Sequence, residues 1–112
     1  MTIAVDFDGT ITEEDLYPEI GKIRKHFIDW LIKRKNQGDN LILWTCRTGD
    51  TLEEAIEVCK QNGLTFDAVN KNLYEDIEPG YKSIRKIIAD VYIDDRSRHI
   101  NDVILKEILN DL

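Results

Sequence analysis

Residues 2–10 read TIAVDFDGT, and this stretch decides the fold that the sequence predicts. Its first part, Thr2 to Val5, is a short β-branched run without polar alternation, which is typical of a strand buried on both faces in a parallel sheet. Its last part, Asp8 to Thr10, has the chemistry of a turn. Asp6 and Asp8 are therefore predicted to stand where a buried strand ends.

Three further apolar runs predict strands, and helical patterns lie between them. The runs cover residues 41–44, 66–69 and 90–94. One apolar helical stripe lies between Pro18 and Gly38, and a second begins at Asp50 or Thr51 and ends at Gly63. Shorter helices are predicted near residues 81–88 and 100–109. Strands that alternate with helices predict an α/β protein with a parallel, doubly wound sheet.

The composition is that of an ordinary globular protein. The 112 residues fit one compact domain, with 42% hydrophobic and 33% charged residues, and the formal net charge of −7 argues against nucleic-acid binding. No apolar run approaches the roughly 20 residues that cross a bilayer, and no signal peptide is visible, so we expect a soluble cytoplasmic protein. Cys46 and Cys59 fit neither a disulfide framework nor a zinc pattern and are predicted to be reduced core thiols.

A second acidic cluster, Asp94 and Asp95, follows the last predicted strand. Ligands of open parallel sheets bind outside the carboxyl ends of the strands. If the first and fourth strands are neighbours, the carboxylates of Asp6, Asp8, Asp94 and Asp95 converge there. Carboxylates held this close repel one another unless a cation lies between them, and oxygen ligands of this kind favour Mg²⁺. The sequence therefore predicts a magnesium site.

Three segments resemble signatures of the haloacid dehalogenase superfamily, in the order that this family has them. Residues 6–10, DFDGT, are similar to its first signature, residues 41–45, LILWT, to its second, and residues 92–95, YIDD, to its fourth. The third signature is a lone lysine. The resemblance implies a three-layer α/β/α Rossmann-like fold in a single domain over residues 1–112. Because no segment is long enough for an inserted cap domain, it also implies a small capless member.

The resemblance implies a role for each matching residue. Asp6 is expected to be the nucleophile that forms an aspartyl-phosphate, and Asp8 the general acid and base. Mg²⁺ is expected to be held by the Asp6 side chain, the Asp8 backbone carbonyl and Asp94, with Asp95 helping directly or through water.

The remaining roles concern the phosphoryl group. Thr45 is expected to hydrogen-bond it, together with backbone N–H groups near Cys46 and Phe7. Lys86 is the favoured side chain for offsetting its negative charge, and Lys82 is the competitor. Two arginines beside the signatures, Arg47 and Arg96, are candidates either for substrate binding or for structural salt bridges, and the sequence leaves this open.

The function predicted is magnesium-dependent hydrolysis of a phosphomonoester. Phosphoryl transfer to a second substrate uses the same residues, and a catalytically idle binding domain of the same fold is a further alternative. A phospho-receiver is disfavoured because the third strand ends in Val69 and Asn70, without an aspartate. Dehalogenation is disfavoured by the presence of Asp8. A capless site is open to solvent, so we expect either a large phosphorylated substrate or a second subunit that covers the site.

Overall fold

The computed structural model describes residues 1–71, 73 and 88–94, and its centre is a parallel sheet of four strands. The strands are β1 (Thr2–Val5), β2 (Asn40–Leu43), β3 (Ala68–Val69) and β4 (Val91–Ile93). Their order in the sheet is β3-β2-β1-β4, and every adjacent pair is parallel. The predicted Rossmann-like α/β fold is therefore confirmed.

Strand β1 is hydrogen-bonded on both sides. Ile3 is in register with Leu41 of β2 and Val91 of β4, and Val5 with Leu43 and Ile93. The side chains of Ile3, Ala4 and Val5 are at most 1% exposed. This burial on both faces explains why the run of apolar residues shows no alternation.

Two helices, α1 (Lys25–Asn36) and α2 (Gly49–Gln61), share one hydrophobic core with the sheet. Helix α1 buries Phe27, Ile28, Trp30 and Leu31 there, and helix α2 buries Ala55 and Cys59. The other face of the sheet carries a smaller cluster around Ala4, Ile42 and Ala68. The predicted helices near 81–88 and 100–109 lie, apart from Ile88, outside the described residues, and so does the second helical layer that they imply.

The prediction that α1 begins near Pro18 is wrong, because residues 22–24 pair through their backbone with residues 11–13. The N–H of Glu13 donates to Lys22 O at 2.8 Å, and the N–H of Arg24 donates to Ile11 O at 2.8 Å. Gly21 lies so close to this partner segment that a Cβ there would be 2.7 Å from Glu14 O. The helix therefore starts only at Lys25. Gly38 and Gly63, with φ of +101° and +85°, follow the two helices as predicted.

The two thiols differ, and the prediction that both are core residues is half wrong. Cys59 is fully buried, and burial raises the pKa of its thiol to about 12. Cys46 is exposed, because it follows β2 in the loop at the carboxyl edge of the sheet. None of the helices in the described part of the chain has the length and apolar character needed to traverse a lipid bilayer.

We predict that Leu31→Ala lowers the free energy of unfolding by about 2–5 kcal/mol, because a fully buried side chain leaves a cavity between α1 and the sheet. Urea denaturation measures the change. The control is Asp29→Ala, at an exposed position of the same helix, which should change stability by no more than about 0.5 kcal/mol. Equal effects of the two variants would contradict the packing of α1 described here.

Candidate functional site

A cavity of about 610 Å³ opens at the carboxyl edge of the sheet. It receives the residues that follow β1, β2 and β4, together with a part of the segment after the first turn. Four aspartates line it: Asp6, Asp8, Asp15 and Asp94. Five other residues complete the described lining: Tyr17, Trp44, Thr45, Cys46 and Arg47.

The cavity brings together most of the side chains singled out in the sequence. Asp6, Asp8, Thr45, Cys46, Arg47 and Asp94 all line it. The condition for this convergence was that the first and fourth strands are neighbours, and β1 does pair with β4. Lys86, its competitor Lys82, Asp95 and Arg96 lie outside the described residues, and their roles stay predictions.

Asp6 extends the pairing of β1 with β4 by one residue. Its N–H donates to Ile93 O at 3.0 Å, and its backbone is extended, with φ −80° and ψ 164°. Its Oδ1 accepts a hydrogen bond of 2.8 Å from the N–H of Phe7. The backbone on both sides of Asp6 therefore fixes where this carboxylate lies, and the Phe7 N–H points at Asp6 rather than into open space.

Asp8 lies in a wide turn, Phe7–Ile11, that the chain makes directly after Asp6. The N–H of Thr12 closes the turn by donating to Phe7 O at 3.1 Å. Gly9 occupies the left-handed region, with φ +78°, where a side chain would be strained. Its N–H donates to Thr12 Oγ1 at 3.0 Å. This turn directs the Asp8 side chain toward the loop after β2.

Arg47, in that loop, binds Asp8 through two hydrogen bonds. Its Nε donates to Asp8 Oδ2 at 2.8 Å and its Nη2 to Asp8 Oδ1 at 2.7 Å. The guanidinium is 1% exposed and lies 5.1 Å from the ring centroids of both Phe7 and Tyr17. The hydrogen bonds to Asp8 raise the pKa of Arg47 above its already high value, so its charge is permanent.

The remaining N–H groups of Arg47 donate hydrogen bonds to backbone carbonyls. Nη1 donates to Pro18 O and Thr51 O, each at 3.2 Å, and Nη2 donates to Glu19 O at 2.8 Å. A guanidinium has five N–H donors, and all five have protein acceptors here. Arg47 thus has no donor left for a phosphate, and of the two roles that the sequence left open, the geometry favours the structural salt bridge.

Thr45 stands at the end of β2 with its backbone and hydroxyl fixed. Its N–H donates to Asn70 Oδ1 at 2.7 Å, and its Oγ1 accepts from the N–H of Arg47 at 3.2 Å. A hydroxyl that accepts one hydrogen bond still has its own O–H to donate. The side chain can therefore act as a donor toward a ligand in the cavity.

The described members of the expected Mg²⁺ ligand set have the oxygen chemistry that this ion prefers. The resemblance implies the backbone carbonyl of Asp8 as a ligand, so the two hydrogen bonds from Arg47 to the Asp8 carboxylate leave the expected set unchanged. Asp95, the further expected ligand, lies outside the described residues. Asp6 and Asp94 lie at the ends of adjacent strands, and both line the cavity together with Asp8, whose carbonyl is the third expected ligand. Among the residues that the structure covers, no three His, Cys, Asp or Glu side chains form a metal-binding group. Mg²⁺ needs no such group, since it binds through one or two carboxylates with water and phosphate oxygens.

Sequence reasoning missed three residues of the cavity: Asp15, Tyr17 and Trp44. Trp44 was assigned to the buried second strand, but β2 ends at Leu43 and Trp44 is 40% exposed. Tyr17 is 56% exposed and lies directly before the helix that was predicted to begin near Pro18. The available signal was that Trp44 is itself part of the second signature, and that Asp15 and Tyr17 follow the first signature within a few residues.

We predict strong energetic coupling between Asp8 and Arg47. Asp8→Ala should destabilise the fold by about 3 kcal/mol or more, because it leaves a buried cation unpaired. In the cycle of Asp8→Ala, Arg47→Met and the double variant, the coupling energy should be about 2 kcal/mol, measured by urea denaturation. The control cycle removes Lys35 and Asp67, a half-exposed pair 3.9 Å apart, and should give less than about 1 kcal/mol. A coupling energy for Asp8 and Arg47 as small as that of the control pair would contradict the buried ion pair described here.

Comparison with known proteins gives one informative match. No protein-family model and no curated protein matches the chain. A solved structure of a conserved protein from Bacteroides thetaiotaomicron is similar, with a TM-score of 0.76. The two are 42% identical in sequence, and the similarity covers 96% of this chain and 90% of that one. The chain belongs to the same family as this conserved Bacteroides protein.

Proposed function

We propose that this chain is a magnesium-dependent phosphohydrolase of the haloacid dehalogenase type, which cleaves a phosphomonoester through an aspartyl-phosphate on Asp6. The observation that carries the proposal is the pairing of β1 with β4. It brings Asp6 and Asp94 to the ends of adjacent strands, beside one cavity that also receives Asp8 and Thr45. The resemblance of residues 6–10, 41–45 and 92–95 to the family signatures gives the same assignment.

In the first step, an oxygen of the Asp6 carboxylate attacks phosphorus, and the bond from phosphorus to the leaving oxygen breaks. Asp8 gives the leaving oxygen a proton. In the second step, water attacks phosphorus, Asp8 takes its proton, and the carboxylate of Asp6 is regenerated with release of phosphate. The backbone bonds at Asp6 hold the nucleophile in place for both steps.

Charge is the main obstacle to this chemistry, because a phosphoryl group must approach four aspartates. Mg²⁺, when bound by Asp6, Asp94 and the Asp8 carbonyl, supplies the positive charge that offsets this repulsion. The O–H of Thr45 is available to donate to a phosphoryl oxygen, as proposed for the second signature. Lys86 is the proposed further cation, from outside the described residues.

The pair of Asp8 and Arg47 bears on the role of Asp8. Arg47 occupies one acceptor site on each carboxylate oxygen, so each oxygen has a second site for water or a leaving group. As an acid, however, Asp8 needs a proton that competes with these two hydrogen bonds. The pair must therefore loosen in the first step. This demand is also the observation that favours the second candidate, a catalytically idle binding domain.

We predict that the protein hydrolyses p-nitrophenyl phosphate with Mg²⁺ and not with excess chelator. Asp6→Asn, which keeps the shape of the side chain and removes the nucleophile, should lower kcat by about three orders of magnitude or more. The matched control is Asp29→Asn on the exposed face of α1, which makes the same change in charge and should leave kcat unaltered.

The outcomes separate the alternatives. Full activity of Asp6→Asn would exclude the covalent mechanism. Faster turnover with an added alcohol, accompanied by its phosphorylation, would assign a phosphotransferase with the same site. Absence of hydrolysis by the unmodified protein on every phosphomonoester offered would exclude the enzyme and favour the idle domain.

A further inference from the structure

Two aromatic side chains at the rim of the cavity have no part in the proposed reaction. Tyr17 and Trp44 are 56% and 40% exposed, and both line the cavity that contains Asp6. Large rings are mostly buried in proteins, and exposed rings that line a concave site indicate ligand binding. The volume of about 610 Å³ lies within the range of small-molecule sites.

The ring of Tyr17 is held in position by contacts within the protein. One of its faces lies against the buried guanidinium of Arg47, with Cζ 5.1 Å from the ring centroid. The backbone on each side is also bound, since the Tyr17 N–H donates to Asp15 Oδ1 at 3.1 Å and Pro18 O accepts from Arg47. A ring fixed in this way loses little conformational entropy when a ligand stacks on it.

Trp44 is positioned by the sheet itself. Its N–H donates to Val5 O at 2.9 Å, which continues the pairing of β2 with β1 past the end of the strand. Its ring meets Tyr92 of β4 edge-on, with the centroids 5.9 Å apart. Trp44 is therefore attached to β1 and β4, the strands that position Asp6 and Asp94, whereas Tyr17 is fixed through Arg47.

The charges of the cavity limit what the rest of a substrate can be. Four aspartates line it, and the one cationic side chain of its described lining, Arg47, has all its donors occupied. A second phosphate or a carboxylate on the substrate would meet these negative charges, and no cationic side chain of the described lining has a donor left to receive it. The described lining therefore favours recognition of the rest of the substrate by stacking over recognition by ion pairs.

We propose that Tyr17 and Trp44 bind an uncharged planar ring in the leaving group of the substrate. The substrate class is a ring-bearing phosphomonoester, such as a nucleoside 5′-monophosphate or an aryl phosphate. The proposal rests on the proposed function for the site of the phosphoryl group, but the ring site itself is built from residues outside that chemistry. Unlike a bisphosphate or a phosphorylated carboxylic acid, such a substrate brings no second anionic group into a cavity that four aspartates line.

The test compares adenosine 5′-monophosphate with ribose 5-phosphate, which share the phosphate and the sugar and differ by the base. We expect the ratio of their kcat/KM values to exceed about ten, because stacking of one base on an aromatic side chain has an effect of this size. Trp44→Ala should reduce the ratio about tenfold, and Trp44→Phe should restore most of it. Leu16→Ala, at an exposed apolar residue that does not line the cavity, should leave the ratio unchanged.

A ratio near one in the unmodified protein would overturn the ring site while leaving the phosphohydrolase proposal intact. A dimer that Trp44→Ala dissociates, together with a ratio near one, would also overturn it and assign the rim to contact between subunits. Parallel loss of turnover on phenyl phosphate and on adenosine 5′-monophosphate in Trp44→Ala supports the whole ring class. Loss on the nucleotide alone supports the proposal and assigns nucleoside monophosphates.

If neither phosphate ester is hydrolysed, the proposed function fails, and the ring site is then tested by binding alone. Titration calorimetry with adenosine, and with ribose as the control, needs neither metal nor turnover. Adenosine binding that Trp44→Ala weakens about tenfold would support the ring site. Absence of adenosine binding would refute it.

Discussion

The double pairing of β1 is the constraint on which the rest of the structure depends. Because β1 is hydrogen-bonded to β2 on one side and to β4 on the other, the residues that follow these strands must meet at one edge of the sheet. Asp6, Thr45 and Asp94 come from segments far apart in the chain, and the backbone pairing of the three strands brings them to one cavity. The core beneath them keeps this edge rigid, since Ile3, Val5, Leu43 and Ile93 are almost completely buried.

The electrostatics of the site depend on the contacts of one cationic side chain, that of Arg47. Arg47 is buried between two rings, and it binds the Asp8 carboxylate and three carbonyls. It therefore joins the turn after β1, the segment at Pro18 and Glu19, and the start of α2. Removing the Asp8 carboxylate would leave a charge that the interior cannot solvate. The same contacts make Arg47 unavailable to a substrate, so a phosphoryl group needs positive charge from another source, and a metal ion is the source that we propose.

The sequence predicted those elements whose formation depends on neighbouring residues. It failed where contacts between distant segments determine the structure. The buried run of β1, the apolar stripes of α1 and α2, and the glycines after these helices were readable because strands, stripes and left-handed ends each have a residue signature. The start of α1 could not be predicted, because residues 22–24 form backbone hydrogen bonds with residues 11–13, and no local sequence pattern indicates this pairing. The cavity residues were predicted from strand ends, whereas the engagement of Arg47 with Asp8, 39 positions away, depends on tertiary packing. Trp44 was assigned to the buried strand because it is apolar and follows three apolar residues, but β2 ends one residue earlier, at Leu43.

The central claim is that Asp6 and Asp94 share one divalent cation, and Mg²⁺ titration by calorimetry tests it most directly. We predict that the unmodified protein binds one Mg²⁺ per chain and that Asp94→Asn and Asp6→Asn each weaken this binding by about tenfold or more, because each removes one of two carboxylate ligands. Asp15→Asn, which removes a negative charge from the same cavity without removing a proposed ligand, should retain one-to-one binding. Unchanged Mg²⁺ affinity in both Asp6→Asn and Asp94→Asn, or no binding by the unmodified protein at millimolar Mg²⁺, would contradict the account.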